Sequence, residues 1–101
     1  MIYKKSEIFE ILIKNKAHFN QYGVTRLGLF GSYSRNEQNE TSDIDFLVEF
    51  ENDKKTFRNF MKLVFFLESL FDKKLEIVTP QSLSKFMYPK IIKDVEYVIS
   101  T

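Results

Sequence analysis

The fifteen residues Gly31-Ser-Tyr-Ser-Arg-Asn-Glu-Gln-Asn-Glu-Thr-Ser-Asp-Ile-Asp45 decide how this chain is read. A glycine followed by a serine can end a strand and cap a helix. The glycine lets the backbone approach a ligand closely, while the serine hydroxyl and the first-turn amides offer donors to an anion. Gly31 and Ser32 are therefore candidate phosphate-binding residues. Asp43 and Asp45 flank one apolar residue, and in a strand residues i and i+2 share a face, so their carboxylates project side by side. Such a pair is poorly tolerated without a cation between the two charges.

Upstream, Val24 to Phe30 is a short β-rich run closed by Gly31. Before it, Ser6 is placed to cap a helix running to about Asn20, with Ile8, Phe9, Leu12, Ile13 and Phe19 forming one apolar stripe that packs on a sheet. Tyr22-Gly23 ends that helix. His18 is the only histidine, has no acid or cysteine at ligand spacing, and reads as a helix-terminus residue.

Downstream, a brief helix through Tyr33, Ser34 and Arg35 gives way to a loop from Asn36 to Ser42 that has no apolar residue and belongs at the surface. Asp43 to Phe50 then alternates, with Ile44, Phe46, Val48 and Phe50 on one face and Asp43, Asp45, Leu47 and Glu49 on the other. Thr56 to Phe71 returns to helical period. One stripe is Phe57, Phe60, Met61, Val64, Leu67 and Phe71, and a second is Leu63, Phe66 and Leu70. That is more apolar surface than one sheet contact requires, so this helix is expected either to thicken the core or to meet another chain, a second copy included.

Lys74 to Thr79 predicts a third strand stopped by Pro80, with Glu76 as the acid inside it, facing solvent at an edge or joining a site. Gln81 to Met87 and Lys90 to Lys93 suggest two short helices separated by Pro89. Val95 to Ile99 either adds a strand or continues the helix; pattern alone leaves both open. The fold class expected is α/β (α+β), a small mixed sheet flanked by helices.

Composition narrows the function. The 101 residues are read as one domain, residues 1–101, with 44% hydrophobic and 29% charged residues. No apolar run approaches membrane-spanning length and the start lacks a secretory stretch, so no membrane anchor is expected. Cysteine is absent, which excludes disulfides and thiolate metal sites and fits a reducing cytoplasm. A formal charge of +1 provides no global basic field for non-specific nucleic-acid binding. The clusters Lys54-Lys55 with Arg58 and Lys73-Lys74 read as solvated helix ends.

Asp43, Asp45 and a third carboxylate from a neighbouring strand, Glu76, are oxygen ligands suited to Mg²⁺. In a two-metal site with ions about 3.5–4 Å apart, one ion activates the attacking oxygen and the other holds the phosphates. Glu76 would then bind an ion or receive the hydroxyl proton. The motif is not a Walker A loop, having no Gly-Lys-Ser/Thr, and lacks the glycine and final glutamate of an EF-hand.

Leu29-Phe-Gly-Ser-Tyr-Ser-Arg35, then Glu37, then Ser42-Asp-Ile-Asp-Phe-Leu-Val48, resembles the minimal nucleotidyltransferases of the DNA polymerase beta superfamily. The likeness extends to Leu75-Glu-Ile-Val-Thr79 and Tyr88-Pro-Lys-Ile91, and so covers nearly the whole chain. It implies a polymerase beta-like core in which Gly31 and Ser32 bind the triphosphate of ATP, Asp43 and Asp45 bind Mg²⁺, and Glu76 is the third carboxylate. Arg35 either contacts phosphate or pairs with Glu37 or an acid of the site. The family usually has aspartate at the third position, and the extra methylene of glutamate bears on metal and base geometry. The resemblance also implies a HEPN-family partner, with this chain the antitoxin of a toxin–antitoxin pair that moves AMP from ATP to a tyrosine of the HEPN toxin. The competing reading is a binding module that neutralises the same partner by contact alone.

Overall fold

The computed structural model describes residues 2–100. Four strands form one mixed sheet in the order β3-β2-β1-β4. β1 (Val24–Phe30) lies antiparallel to β2 (Ile44–Phe50) and to β4 (Glu96–Ser100), and β2 lies parallel to β3 (Leu75–Val78). A parallel neighbour cannot be reached by a tight turn. The chain therefore crosses from β2 to β3 through the long helix α4 (Phe57–Leu70).

The strict alternation of β2 sorts its side chains between two cores. Ile44, Phe46, Val48 and Phe50 join Leu27 and Leu29 of β1 and Leu63 and Leu67 of α4 in the larger one. Leu47 projects to the other face, with Phe30, Ile91 and partly buried Val78 and Leu83. Asp45 and Glu76 belong to that second face, because each stands two residues from Leu47 or Val78. One face of the sheet is thus filled by hydrocarbon, and the other is shared between a small core and carboxylates.

The helix expected from Ser6 to about Asn20 is two helices, α1 (Lys5–Lys14) and α2 (Lys16–Gln21). Asn15 leaves the helical region at φ −108°, ψ 18°, and its side-chain amide donates to the Ile11 carbonyl at 2.8 Å, a local competition that asparagine is suited to. Ser6 is not the cap. The Lys4 amide donates to the Glu7 carboxylate at 2.7 Å, and α1 begins after Lys4. Ile8, Leu12 and Phe19 are buried as expected, but Ile13 lies on the solvent side.

Thr56 caps α4, its hydroxyl accepting from the Asn59 amide at 3.1 Å. The buried line of this helix is Leu63 and Leu67, flanked by Phe60, Phe66 and Leu70, so both expected stripes contribute to the face on the sheet. The aromatic contacts fix that rotation: Phe66 stacks on His18 at 4.6 Å and meets Phe19 edge-on at 5.5 Å. Phe57 and Phe65 are left 79% and 63% exposed.

Pro89 does not divide two helices. It is the third residue of α5 (Met87–Asp94), in the first turn, where a missing N–H removes no intrahelical bond. Residues 80–82 form only a 3-10 turn, and the segment after Val95 is strand β4, the sheet edge opposite β3. A four-residue helix, α3 (Gly31–Ser34), follows β1 directly. Among the described residues no helix is long and apolar enough to cross a membrane.

Candidate active site

β1 ends at Phe30, and the chain turns at Gly31, whose φ of +74° is in the left-handed region that glycine adopts without strain. A side chain there would also meet Asp45, whose Cγ lies 3.2 Å from the position of an added Cβ. The bare backbone of the corner therefore lies directly against the first acid of β2. Ser32 follows in α3, half-buried, and its hydroxyl makes no hydrogen bond to a described residue.

Parallel pairing sets Asp45 opposite Glu76. The strand start is fixed by the Ile44 amide, which donates to the Lys74 carbonyl at 3.1 Å. Burial pushes the Asp45 carboxyl up to about 7, helped by repulsion from Glu76, a hydrogen bond shared with Glu76, and repulsion from Asp43; nearby Arg35 opposes the rise. Asp43, on the approach to β2, and Glu76 of β3 thus both act on Asp45. Glu76 is exposed, while Asp43 and Asp45 are half-buried.

Arg35 follows α3 and is held by two acids. Its Nε donates to Glu37 Oε1 at 2.8 Å and its Nη1 to Asp94 Oδ2 at 2.6 Å, bonds that raise its already high pKa. The Ser34 hydroxyl donates to the Asp94 carbonyl, and Lys5 Nζ donates to the Ser34 carbonyl at 3.1 Å. The C-terminal end of α5 is thereby tied to the glycine corner. Glu37 was an expected partner of Arg35; Asp94 was not, and a contact across 59 residues leaves no local trace in sequence.

Among the described residues no three acids or histidines stand close enough to enclose a metal ion unaided. The donors present still suit Mg²⁺, which takes a few carboxylate oxygens and completes its shell with water and substrate phosphate. A carboxyl pushed up to about 7 by burial and by neighbouring acids is also a group that a divalent cation would relieve.

The nucleotidyltransferase domain family matches residues 7–98. The chain is 41% identical over 96 residues to a candidate protein adenylyltransferase of Methanocaldococcus jannaschii, MJ1379, covering 92% of this chain and 96% of that protein. It is 36% identical to protein adenylyltransferase MntA of Thermococcus cleftensis, covering 91% and 93%. In fold it is similar to a solved candidate minimal nucleotidyltransferase, with a TM-score of 0.79, 24% identity and coverage of 93% and 95%. A chain in the complex of an MNT antitoxin with the tri-AMPylated Shewanella oneidensis HEPN toxin shares the fold at a TM-score of 0.58 and 23% identity, covering 96% and 70%. Matched along nearly its whole length, this protein belongs to the nucleotidyltransferase domain family, and its chemistry is that of a nucleotidyltransferase.

Proposed function

We propose that this protein transfers AMP from ATP to a hydroxyl of a partner protein, a tyrosine of a HEPN-family toxin, and so acts as the antitoxin of that pair in the cytoplasm. The observation that carries the reading is the register of Asp45 against Glu76 beside the open backbone of Gly31. Relatives named as protein adenylyltransferases support the transferred group and the class of acceptor.

In this reading Gly31 and Ser32 bind the triphosphate, and Arg35, held by Glu37 and Asp94, lends its positive charge nearby. Asp43, Asp45 and Glu76 would hold Mg²⁺, two ions in the full complement. Bound there, Mg²⁺ supplies neutralisation of the phosphate charge and acidifies the attacking hydroxyl. The acceptor oxygen bonds to the α-phosphorus, the α–β anhydride bond breaks, and its electron pair leaves with pyrophosphate. The hydroxyl proton passes to a carboxylate, for which Glu76 is the exposed member of the trio.

The test is incubation with ATP, Mg²⁺ and the purified HEPN-family protein, followed by intact mass. AMP-sized additions to the partner that vanish with Asp43→Asn are expected. A second reading, neutralisation by binding alone, draws on the exposure of Glu76, which sets it apart from the half-buried Asp43 and Asp45. Undiminished neutralisation by Asp43→Asn with no adduct in either case selects it. Exposed Phe57 and Phe65 on α4 support self-association through that helix, which the solution mass at rising concentration tests.

A further inference from the structure

α3 is four residues long, too short to hold a helical turn by its own hydrogen bonds. The segment it opens is wound on itself: the Arg35 amide donates to the Gly31 carbonyl at 3.2 Å, and the Glu37 amide to the Ser32 carbonyl at 2.9 Å. What fixes this coil against the rest of the molecule comes from far along the chain. Tyr33 is buried in the larger core, and Lys5 Nζ reaches the Ser34 carbonyl while pairing with Glu96 at 2.6 Å. Asp94 engages two consecutive residues of the coil, Ser34 through its carbonyl and Arg35 through its carboxylate.

Arg35 is the residue that most needs such an anchor. Its side chain is 44% exposed, and a long side chain in that position samples many rotamers when nothing holds it. The guanidinium is planar, so bonds from two of its nitrogens set both its place and its orientation. Glu37 takes Nε, but its side chain is 64% exposed and it moves with the coil it belongs to. Asp94 takes Nη1 from a separate element. Its side chain is 32% exposed and its backbone is held on both sides. The Asp94 carbonyl accepts from Ser34, and the next amide, that of Val95, donates to the carbonyl of Ile91, which is buried with Phe30 and Leu47.

The transfer chemistry leaves Asp94 without a task of its own. By charge alone a carboxylate in this neighbourhood opposes the binding of a triphosphate, and a partly exposed ion pair adds little to stability. Holding Arg35 is the use that its geometry fits. The guanidinium so held is near enough to the site for its charge to act on Asp45.

We infer that Asp94 is a positioning residue: by holding the Arg35 guanidinium beside the glycine corner, it preorganises the positive charge that meets the phosphates of the nucleotide. This rests on the AMP-transfer reading for the identity of the ligand, not for the fixed orientation of Arg35. Because Arg35 is ordered beforehand, binding of the nucleotide does not have to order it. Its charge serves the bound phosphates before and during the reaction alike, so the contribution of Asp94 falls on nucleotide affinity rather than on the chemical step.

The experiment measures the affinity of the whole chain for ATP·Mg²⁺ by calorimetry, with no acceptor protein, and the motion of the Arg35 Nε–H by ¹⁵N relaxation with no nucleotide. Asp94→Ala removes the carboxylate and leaves the carbonyl that Ser34 uses. It should weaken ATP binding by about 3–10-fold, the size expected when one long side chain has to be ordered on binding. Arg35 should be ordered in the wild type and mobile in Asp94→Ala. Asp94→Asn keeps an acceptor on an arm of the same length and should stay closer to wild type than Asp94→Ala in both readouts. In an Arg35→Ala background, Asp94→Ala should change the affinity no further. In transfer assays the KM for ATP should rise with the dissociation constant while kcat stays within about two-fold. The melting temperatures of both Asp94 variants should stay near that of the wild type. Unchanged or tighter ATP binding by Asp94→Ala overturns the inference and leaves the AMP-transfer reading standing, as does a loss that persists in full in the Arg35→Ala background. An Arg35 side chain equally ordered in the wild type and in Asp94→Ala overturns it, and so does a loss shared in full by Asp94→Asn together with a lowered melting temperature. Absence of ATP binding by the wild type overturns the nucleotide reading and the inference together.

Discussion

Gly31 and Asp45 touch: the space a Cβ would occupy on the glycine is already filled by the aspartate carboxylate. The proposed phosphate corner and the proposed metal ligand are therefore one packed unit. Gly31→Ala would strain a backbone at φ +74° and displace Asp45 together. The strain costs about 1–3 kcal/mol of stability. A misplacement near 1 Å should cost about 10²-fold in transfer. Melting curves and AMP incorporation, measured on the same preparation, separate the two losses.

The Asp45 carboxyl at about 7 predicts an inverted pH dependence for the metal-free protein. Its folded pKa is above the unfolded value of 3.8, so the folded state keeps a proton that the unfolded chain releases. Stability should be highest below about pH 4 on account of this group, fall as pH rises, and have lost the contribution above about pH 7. Asp45→Asn should flatten that slope in thermal melts. Since metal ligands bind deprotonated, Mg²⁺ should raise the melting temperature more at about pH 8 than at about pH 5.

Glu76 tunes its neighbour. Glu76→Gln removes the largest charge acting on Asp45, so the Asp45 titration, followed by carboxyl NMR, should move down toward the ordinary range. Transfer should fall by about 10²-fold or more if the carboxylate receives the proton or binds metal. Glu76→Asp, which keeps the charge and shortens the arm, should retain measurable transfer. Equal activity of the Gln variant and wild type removes Glu76 from the site.

Gly28 on β1 predicts a purely structural effect. A Cβ there would lie 2.6 Å from Val95 Cγ2 and 3.0 Å from a Tyr97 ring carbon, and the β1–β4 register already shifts between Leu27 and Gly28. Gly28→Ala should destabilise by about 1–3 kcal/mol through overpacking. Chemical denaturation checks this.

The parts legible in sequence were those with short-range signals. The two-residue period of β2 separated Ile44, Phe46, Val48 and Phe50 from Asp45 and Leu47, and Gly31 marked the corner after β1. The break at Asn15 was hidden because helical periodicity continues through it, while the side-chain bond to Ile11 that causes it is not a pattern. The rotation of α4 was unreadable because apolar residues surround the helix, and only the His18, Phe19 and Tyr22 rings on Phe66 settle it. Pro89 misled because a proline that starts a helix and one that ends it look alike without the cap. The tie between Arg35 and Asp94 depends on how β4 returns beside β1.

β3 has four residues, hydrogen-bonds to a single neighbour, and reaches it in parallel after a long excursion through α4. Fraying begins at such margins, well before a protein melts as a whole. Detachment of this one short margin carries Glu76 away from Asp45 while nearly all the hydrocarbon interior stays intact. Warming should therefore silence the enzyme at a temperature where circular dichroism still reports an ordered molecule.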